Sequence, residues 1–567
     1  MATAGSNATT ADLAPASARE GRSSSSQQQS SKGSSLPHSL SKDRRIAEHA
    51  SGRPLNLQGS KTLDWGEDAP EELQGLQHDA SLHVFSAGYD VYALPKHHMP
   101  RRGMPAAVAA QGITDLRQLD HNPRLNMASF VTTWMEPEVT QLMQDCLNVN
   151  LVDMDEYPST TDIHNRCVSM LAALYHCPTP PDKAVGSGTV GSSEAIMLAG
   201  LAMKKKWQAR RRAAGLPADK PNLVMSYTVQ VCWEKFCRYW DVEENYVTVG
   251  EGRYGITPEL ARQKIDENTI GVVGILGSTY NGEFEDIKGL NDMLEEVNKE
   301  HPEWQVPLHV DAASGGFIAP FSYPELAWDF RLPWVKSINV SGHKYGLVYP
   351  GMGWVLWREP GDVPQDLVFH INYLGSDQAS ITLNFSRGAA SVVGQYYQLL
   401  RLGRDGYTSV MSNLATIAAR LAAGILETGE FEVLSQPVGV PLVAFRLKQK
   451  TDEQGNPVDR GFDEYDVSDR LKEHGWVLPA YTMPPNARDV KLLRAVIRVD
   501  HSMTLVEKLI SHIGEALALL ALHESRSEAS ILRHLRQHKQ HHRHKSSPHL
   551  QVLVKSSTGG WYLVPRG

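Results

Sequence analysis

At 567 residues the chain exceeds one ordinary core, so two packed domains with appendages are expected. Lysine plus arginine (56) fall short of aspartate plus glutamate (64), and the mild net charge of −8 argues against nucleic acid as the main partner. Five cysteines, Cys146, Cys167, Cys177, Cys232 and Cys237, fit neither a disulfide framework nor a zinc site, so a reducing, cytoplasmic setting and no metal are expected; no apolar run looks long enough to span a bilayer.

Residues 1–60 are low in complexity, as in the serine and glutamine run at 23–31, and too polar to offset their chain entropy by burial. They are expected to be disordered. Their serine and arginine resemble an organelle leader, but Asp12, Glu20, Asp43 and Glu48 are more acid than such leaders carry, so targeting stays open. Residues 61–125 form an N-terminal segment broken by Pro95, Pro100 and Pro105. A large domain is expected over 126–400, a smaller α/β domain over 401–522, and a basic, His-rich tail over 523–567. The closing Leu563-Val564-Pro565-Arg566-Gly567 resembles a protease-site remnant of an expression vector.

Within the large domain, 185–195 reads as a glycine-rich loop entering a helix. Ser192 and Ser193 stand at the helix start, where free N–H groups suit a phosphate as well as an ordinary cap. The basic residues at 204–212 read as a solvated helix face. Asn222–Tyr227 and Gly271–Leu276 read as strands, followed by the polar stretches holding Gln230 and Thr279. Leu308-His309-Val310-Asp311-Ala312-Ala313 is an apolar strand with one carboxylate near its C-terminal end. Ser337–Ser341 is another strand, broken by Gly342, with His343 and Lys344 just beyond. Strands alternating with helices imply a mostly parallel sheet, and ligands in such sheets gather at the strands' C-terminal ends. A lysine that attacks a carbonyl must be neutral and held in place, which a dry pocket beside another cationic group provides. A surface lysine following a strand fits this octapeptide equally well.

The lysine stretch, some thirty residues after Asp311-Ala312-Ala313, resembles the pyridoxal-phosphate (PLP) decarboxylases of aspartate-aminotransferase fold (fold type I). The runs Leu125–Glu138 and Leu151–Pro158 narrow the similarity to glutamate decarboxylases, in particular the plant and green-algal type. The similarity spans residues 82–520. It implies a seven-stranded, mostly parallel sheet in the large domain. It also implies that Lys344 carries PLP as a Schiff base, that Asp311 keeps the pyridine nitrogen protonated, and that Ser192, Ser193, Ala313, Ser341 and His343 line the cofactor. Gln230 would cover the ring, and Thr279 would bond the phenolic oxygen or the substrate. Ser129, Phe130 and Asp153 would meet the distal carboxylate of L-glutamate, and Arg494 would grip the α-carboxylate through two parallel bonds. Tyr373 would protonate the carbanion on a loop over the neighbouring subunit, and Ser386 would reach that neighbour's phosphate, so a homodimer is the minimum and a higher homo-oligomer is expected. At 164, where plant relatives carry an amide and bacterial ones an acid, this chain has a histidine.

The implied reaction is decarboxylation of L-glutamate to 4-aminobutanoate (GABA). Another PLP reaction on this fold, or an inactive regulatory homologue, are the rivals. The tail's Ile531–Arg536 stretch is basic and amphipathic but lacks the tryptophan anchor of plant-type calmodulin-binding segments, so calmodulin is a partner implied only by resemblance.

Overall fold

The computed structural model describes residues 94–101, 103–372, 378–541, 551–555 and 561–565. A first compact unit ends at Leu116 and a second begins at Arg117.

The second unit is organised by a seven-stranded sheet: β1 (Val185–Val190), β2 (Asn222–Ser226), β3 (Glu243–Val247), β4 (Thr269–Ile275), β5 (Leu308–Asp311), β6 (Val335–Val340) and β7 (Met352–Trp357). Their spatial order is β1-β7-β6-β5-β4-β2-β3, with only β7 running against its neighbours. Helices cover both faces, which is why β2, β4, β5 and β7 are buried at every position and read as continuous runs rather than alternations. The architecture is the expected fold type I α/β arrangement.

The stretch 185–190, read above as loop, is an edge strand. Its glycines disguise it. A Cβ at Gly186 would lie 2.7 Å from both Leu356 Cδ2 and the Val355 carbonyl, so only glycine lets β1 press onto β7 there. The pairing has a consequence for the site. Val190 pairs with Met352 and Val340 pairs with Trp354, so the C-terminal ends of β1 and β6 lie at one edge, on either side of the start of β7.

After the short antiparallel pair β8 (Phe369–Ile371) and β9 (Gln378–Ser380), the small domain is a four-stranded antiparallel sheet of β10 (Phe431–Val433), β11 (Leu442–Leu447), β12 (Ala480–Thr482) and β13 (Lys491–Val496), in the order β10-β11-β13-β12. The helix Glu464–Lys472 and the C-terminal helix Met503–His541 accompany it. The large and small domains are joined through Ala390–Glu427, two helices run together across Gly403 (φ 57, ψ −167). Among the described residues this is the one helix apolar and long enough to suit a bilayer. The kink, and the burial of Met411, Leu414, Leu421 and Ile425, make it a core helix instead. The boundary expected at 125/126 falls within a stitched segment. Met127 donates to the Val477 carbonyl (2.9 Å) and accepts from Val496 N (2.8 Å), while Thr132 N reaches the His343 carbonyl (2.8 Å).

Candidate active site

The C-terminal ends of β1, β4, β5 and β6 open onto a cavity of about 290 Å³ lined by Ser192, Ser193, Gln230, Thr279, Asp311, Ala313, Ser341, His343 and Lys344. Nine of the residues singled out from sequence thus meet in one place. Sequence separation between Ser192 and Lys344 is bridged by the sheet: Ser192 Oγ lies 2.6 Å from Ser341 Oγ, across the strand ends described above.

Lys344 follows β6 by a tight turn in which its N–H donates to the Ser341 carbonyl (3.2 Å). Its Nζ donates to Ser314 Oγ (3.1 Å) and sits 5.2 Å from the Phe130 ring centroid. Burial holds its pKa below the usual lysine value and the Arg494 guanidinium adds to that, against the opposing pull of Asp311 and Cys232. A lysine so placed is biased toward the neutral, nucleophilic amine. Next to it, His343 is pushed down to about 4 by burial and by the Lys344 charge, so it is neutral over the physiological range.

Asp311, 6% exposed, accepts from Trp233 Nε1 (2.9 Å), Asn339 Nδ2 (2.9 Å) and Ala313 N (3.2 Å). All three partners offer N–H, so the carboxylate acts towards each as an acceptor.

The donor set fits a phosphorylated, aldehyde-bearing cofactor. Gly191 opens the helix Gly191–Ala213 at φ +72, and a Cβ there would stand 3.2 Å from His343 Cε1, filling the space between the helix start and the lysine turn. The first-turn N–H groups of that helix are of the kind that hold phosphate. Neither serine acts as the N-cap. Ser192 bonds Ser341, Ser193 touches Cys232, and Glu194 accepts from Val190 N (2.7 Å). His343 Nδ1 is buried without a partner among the described residues.

Arg494, on β13, donates to the carbonyls of Thr279 and Ala128 (2.8 Å for the latter), and its guanidinium lies 5.1 Å from Phe130 and 5.4 Å from Tyr481. Its Nε is buried without a partner among the described residues. The remaining expectations fare differently. Ser129 Oγ accepts from Val131 N (3.1 Å), a local turn bond. Gln230 Oε1 accepts from Cys232 N (2.7 Å) and so caps the helix Val231–Tyr239. Asp153 does not line the Lys344 cavity, and Ser386 is exposed beside Asn150. Tyr373 lies outside the described residues. His164 Nε2 accepts from Gly188 N (2.8 Å), and burial pushes it down to about 4.

Sequence reasoning gave no role to Ser314, Trp233 or Asn339. A signal for Asn339 existed: Ser337, Asn339 and Ser341 alternate with Ile338 and Val340, a period-2 polar stripe on one face of a strand whose apolar residues are core.

Residues 95–448 match the pyridoxal-dependent decarboxylase conserved domain. The glutamate decarboxylase of Petunia hybrida is 56% identical over 457 residues, 80% of this chain and 89% of the relative. The chain belongs to the glutamate decarboxylase family. A glutamate decarboxylase from Lactococcus lactis subsp. cremoris is 44% identical over 80% of this chain and 95% of its own length. A solved glutamate decarboxylase from Lactobacillus brevis superimposes with a TM-score of 0.73 at 40% identity, covering 77% of this chain and 98% of that one. In this family PLP is the cofactor, and the cavity at Lys344 is where this chain has the chemistry to hold it.

Proposed function

We propose that the chain removes the α-carboxylate of L-glutamate as carbon dioxide, leaving 4-aminobutanoate. One observation carries the reading: an amine and a guanidinium flank the same ring, Lys344 Nζ at 5.2 Å and Arg494 Cζ at 5.1 Å from the Phe130 centroid. A substrate whose α-carboxylate pairs with Arg494 brings its amino carbon toward Lys344. Arg494 keeps both backbone bonds while doing so through its unpaired Nε, so the group is oriented before substrate arrives. When bound, PLP supplies the electron sink for the pair left as the bond from Cα to its carboxylate breaks. Lys344 would anchor the cofactor through its amine, Asp311 would partner the ring nitrogen, and Ser192, Ser193 and the helix start would hold the phosphate. One proton is placed on Cα in each turnover, so the reaction consumes acid.

A homodimer belongs to this reading: Ser386 does not line the chain's own Lys344 cavity and would serve a neighbour's, as the resemblance implies. A cytoplasmic location, expected from the cysteine usage, and calmodulin binding by the basic 531–536 stretch, implied only by resemblance, belong to the same reading.

The test is product formation from a panel of amino acids with added PLP, for the wild type and Lys344→Ala. 4-Aminobutanoate from glutamate alone, abolished in the variant, is expected. Turnover of aromatic substrates instead would keep the cofactor site and overturn the substrate.

A further inference from the structure

Behind Asp311 the sheet holds a second, fully interior set of polar groups. His309, Ser337 and Asn339 are 0%, 2% and 0% exposed, on adjacent strands β5 and β6. His309 Nδ1 lies 2.7 Å from Ser337 Oγ, and His309 Nε2 lies 2.7 Å from Asn339 Oδ1. Asn339 Nδ2 in turn lies 2.9 Å from Asp311 Oδ1. The Trp233 indole, which bonds the other carboxylate oxygen, packs edge-on against the His309 ring at 5.1 Å and 65°.

The chemistry of the partners assigns every proton. Asp311 accepts from all its partners, with Asn339 presenting its NH₂ to the carboxylate and its carbonyl oxygen to His309. That oxygen needs a donor, so His309 Nε2 carries the hydrogen. Nδ1 is then the acceptor and takes the Ser337 hydroxyl hydrogen. Burial, which pushes His309 down to about 4, keeps the ring in this neutral form. Ser337, His309 and Asn339 therefore form a chain of donors all pointing one way, toward Asp311.

We infer that His309 is a positioning residue for Asp311: it locks the Asn339 amide so that NH₂, and not the carbonyl oxygen, faces the carboxylate. This rests on the reading of Asp311 as the partner of the cofactor's ring nitrogen. Without the Nε2–H the carboxylate alone holds the amide's orientation, and whatever fraction turns sets a lone pair against Asp311. The carboxylate then loses a donor and is held by Trp233 and Ala313 alone.

The experiment uses three variants of the full chain beside the wild type: His309→Phe, His309→Gln and Ser337→Ala. Phe keeps a flat ring against Trp233 and removes the donor; Gln returns an N–H. In the PLP-loaded enzyme, His309→Phe is expected to lower kcat at least about tenfold, the scale of one hydrogen bond to a charged group, with KM for glutamate changed less than about twofold. The pH midpoint of the bound cofactor's absorbance should shift, and the dissociation constant of PLP from the apoenzyme should rise. His309→Gln should recover most of each effect, and Ser337→Ala should move all three the same way by less. A folded His309→Phe enzyme with wild-type kcat, spectrum and cofactor affinity overturns the inference. If that variant does not fold, Ser337→Ala decides: a spectral shift with lowered kcat supports the relay, and wild-type behaviour refutes it. Asp311→Asn separates the two levels. Full activity there would fell the Asp311 reading itself, whereas an inactive Asp311→Asn beside an unaffected His309→Phe fells only the relay.

Discussion

His164→Gln should flatten the response of stability to acid. In the folded chain His164 Nε2 accepts from Gly188 N at 2.8 Å, its Nδ1 faces Asn165 Oδ1 at 3.0 Å, and the ring tilts against Trp354 at 5.6 Å. Burial is the main reason its pKa sits at about 4, and the Arg387 charge adds to it while Asn165 opposes. In the unfolded chain the same ring takes its proton near 6.5. The depressed folded pKa means that the contribution is present above pH 6.5 and is lost as pH falls toward 4, because the unfolded state binds the extra proton. Between pH 7 and pH 5 the loss amounts to about 2 kcal/mol, an upper bound since the residue is only half-buried. Glutamine can still accept from Gly188 N but cannot be protonated. Urea unfolding of the PLP-loaded proteins at pH 7 and pH 5 measures the difference, and other titrating groups, such as Glu285 with its raised pKa, cancel between the two proteins. Equal pH dependence in wild type and variant would refute the assigned role of His164.

Gly191→Ala forces a positive-φ residue to carry a Cβ 3.2 Å from His343 Cε1, so about 1–2 kcal/mol of stability and a measurable part of PLP affinity should be lost. Arg494→Lys removes the planar fork while keeping the charge; kcat/KM for glutamate should fall by about a hundredfold, with near-wild-type cofactor binding in the same sample. Asp500→Asn breaks an ion pair whose side chains are 3% and 5% exposed. Arg498, held at 3.3 Å by Asp500, would keep its bonds to the Pro123 and Ser129 carbonyls but lose its counter-charge. A cost of about 3–5 kcal/mol is expected in urea melts.

The residues legible from sequence were those whose chemistry contradicts their surroundings. Asp311 ends β5 and Lys344 follows β6 by one tight turn, and a charge at the C-terminal end of a buried strand in an α/β sheet marks the ligand edge. Arg494 was visible in the same way, one guanidinium among the apolar residues of β13. Strand β1 was hidden because Gly186 and Gly188 weaken the local signal that their close packing requires. Asn339 was hidden for another reason. A polar residue in alternation normally marks a solvent face, and only the pairing of β5 with β6 shows that this face looks at His309 and Asp311. Gln230 and Ser129 came to light by resemblance, and both side chains bond nearby backbone, Gln230 while also lining the cavity. Asp153 and Ser386 came from resemblance alone, and neither lines the Lys344 cavity.

The segment from Met127 to Thr132 is fastened at both ends, to Val477 and Val496 of the small domain and, through Thr132 Oγ1 and N, to the carbonyls of Lys344 and His343. Phe130, between these knots, is the ring on which amine and guanidinium converge. A span pinned this way has no slack. A residue added or removed would pull the lysine turn out of register with Arg494, so this wall can evolve toward another substrate by exchanging side chains at 128–131 but not by changing its length. Where many enzymes retune selectivity by growing or trimming a loop, this one has a ruler laid across its site.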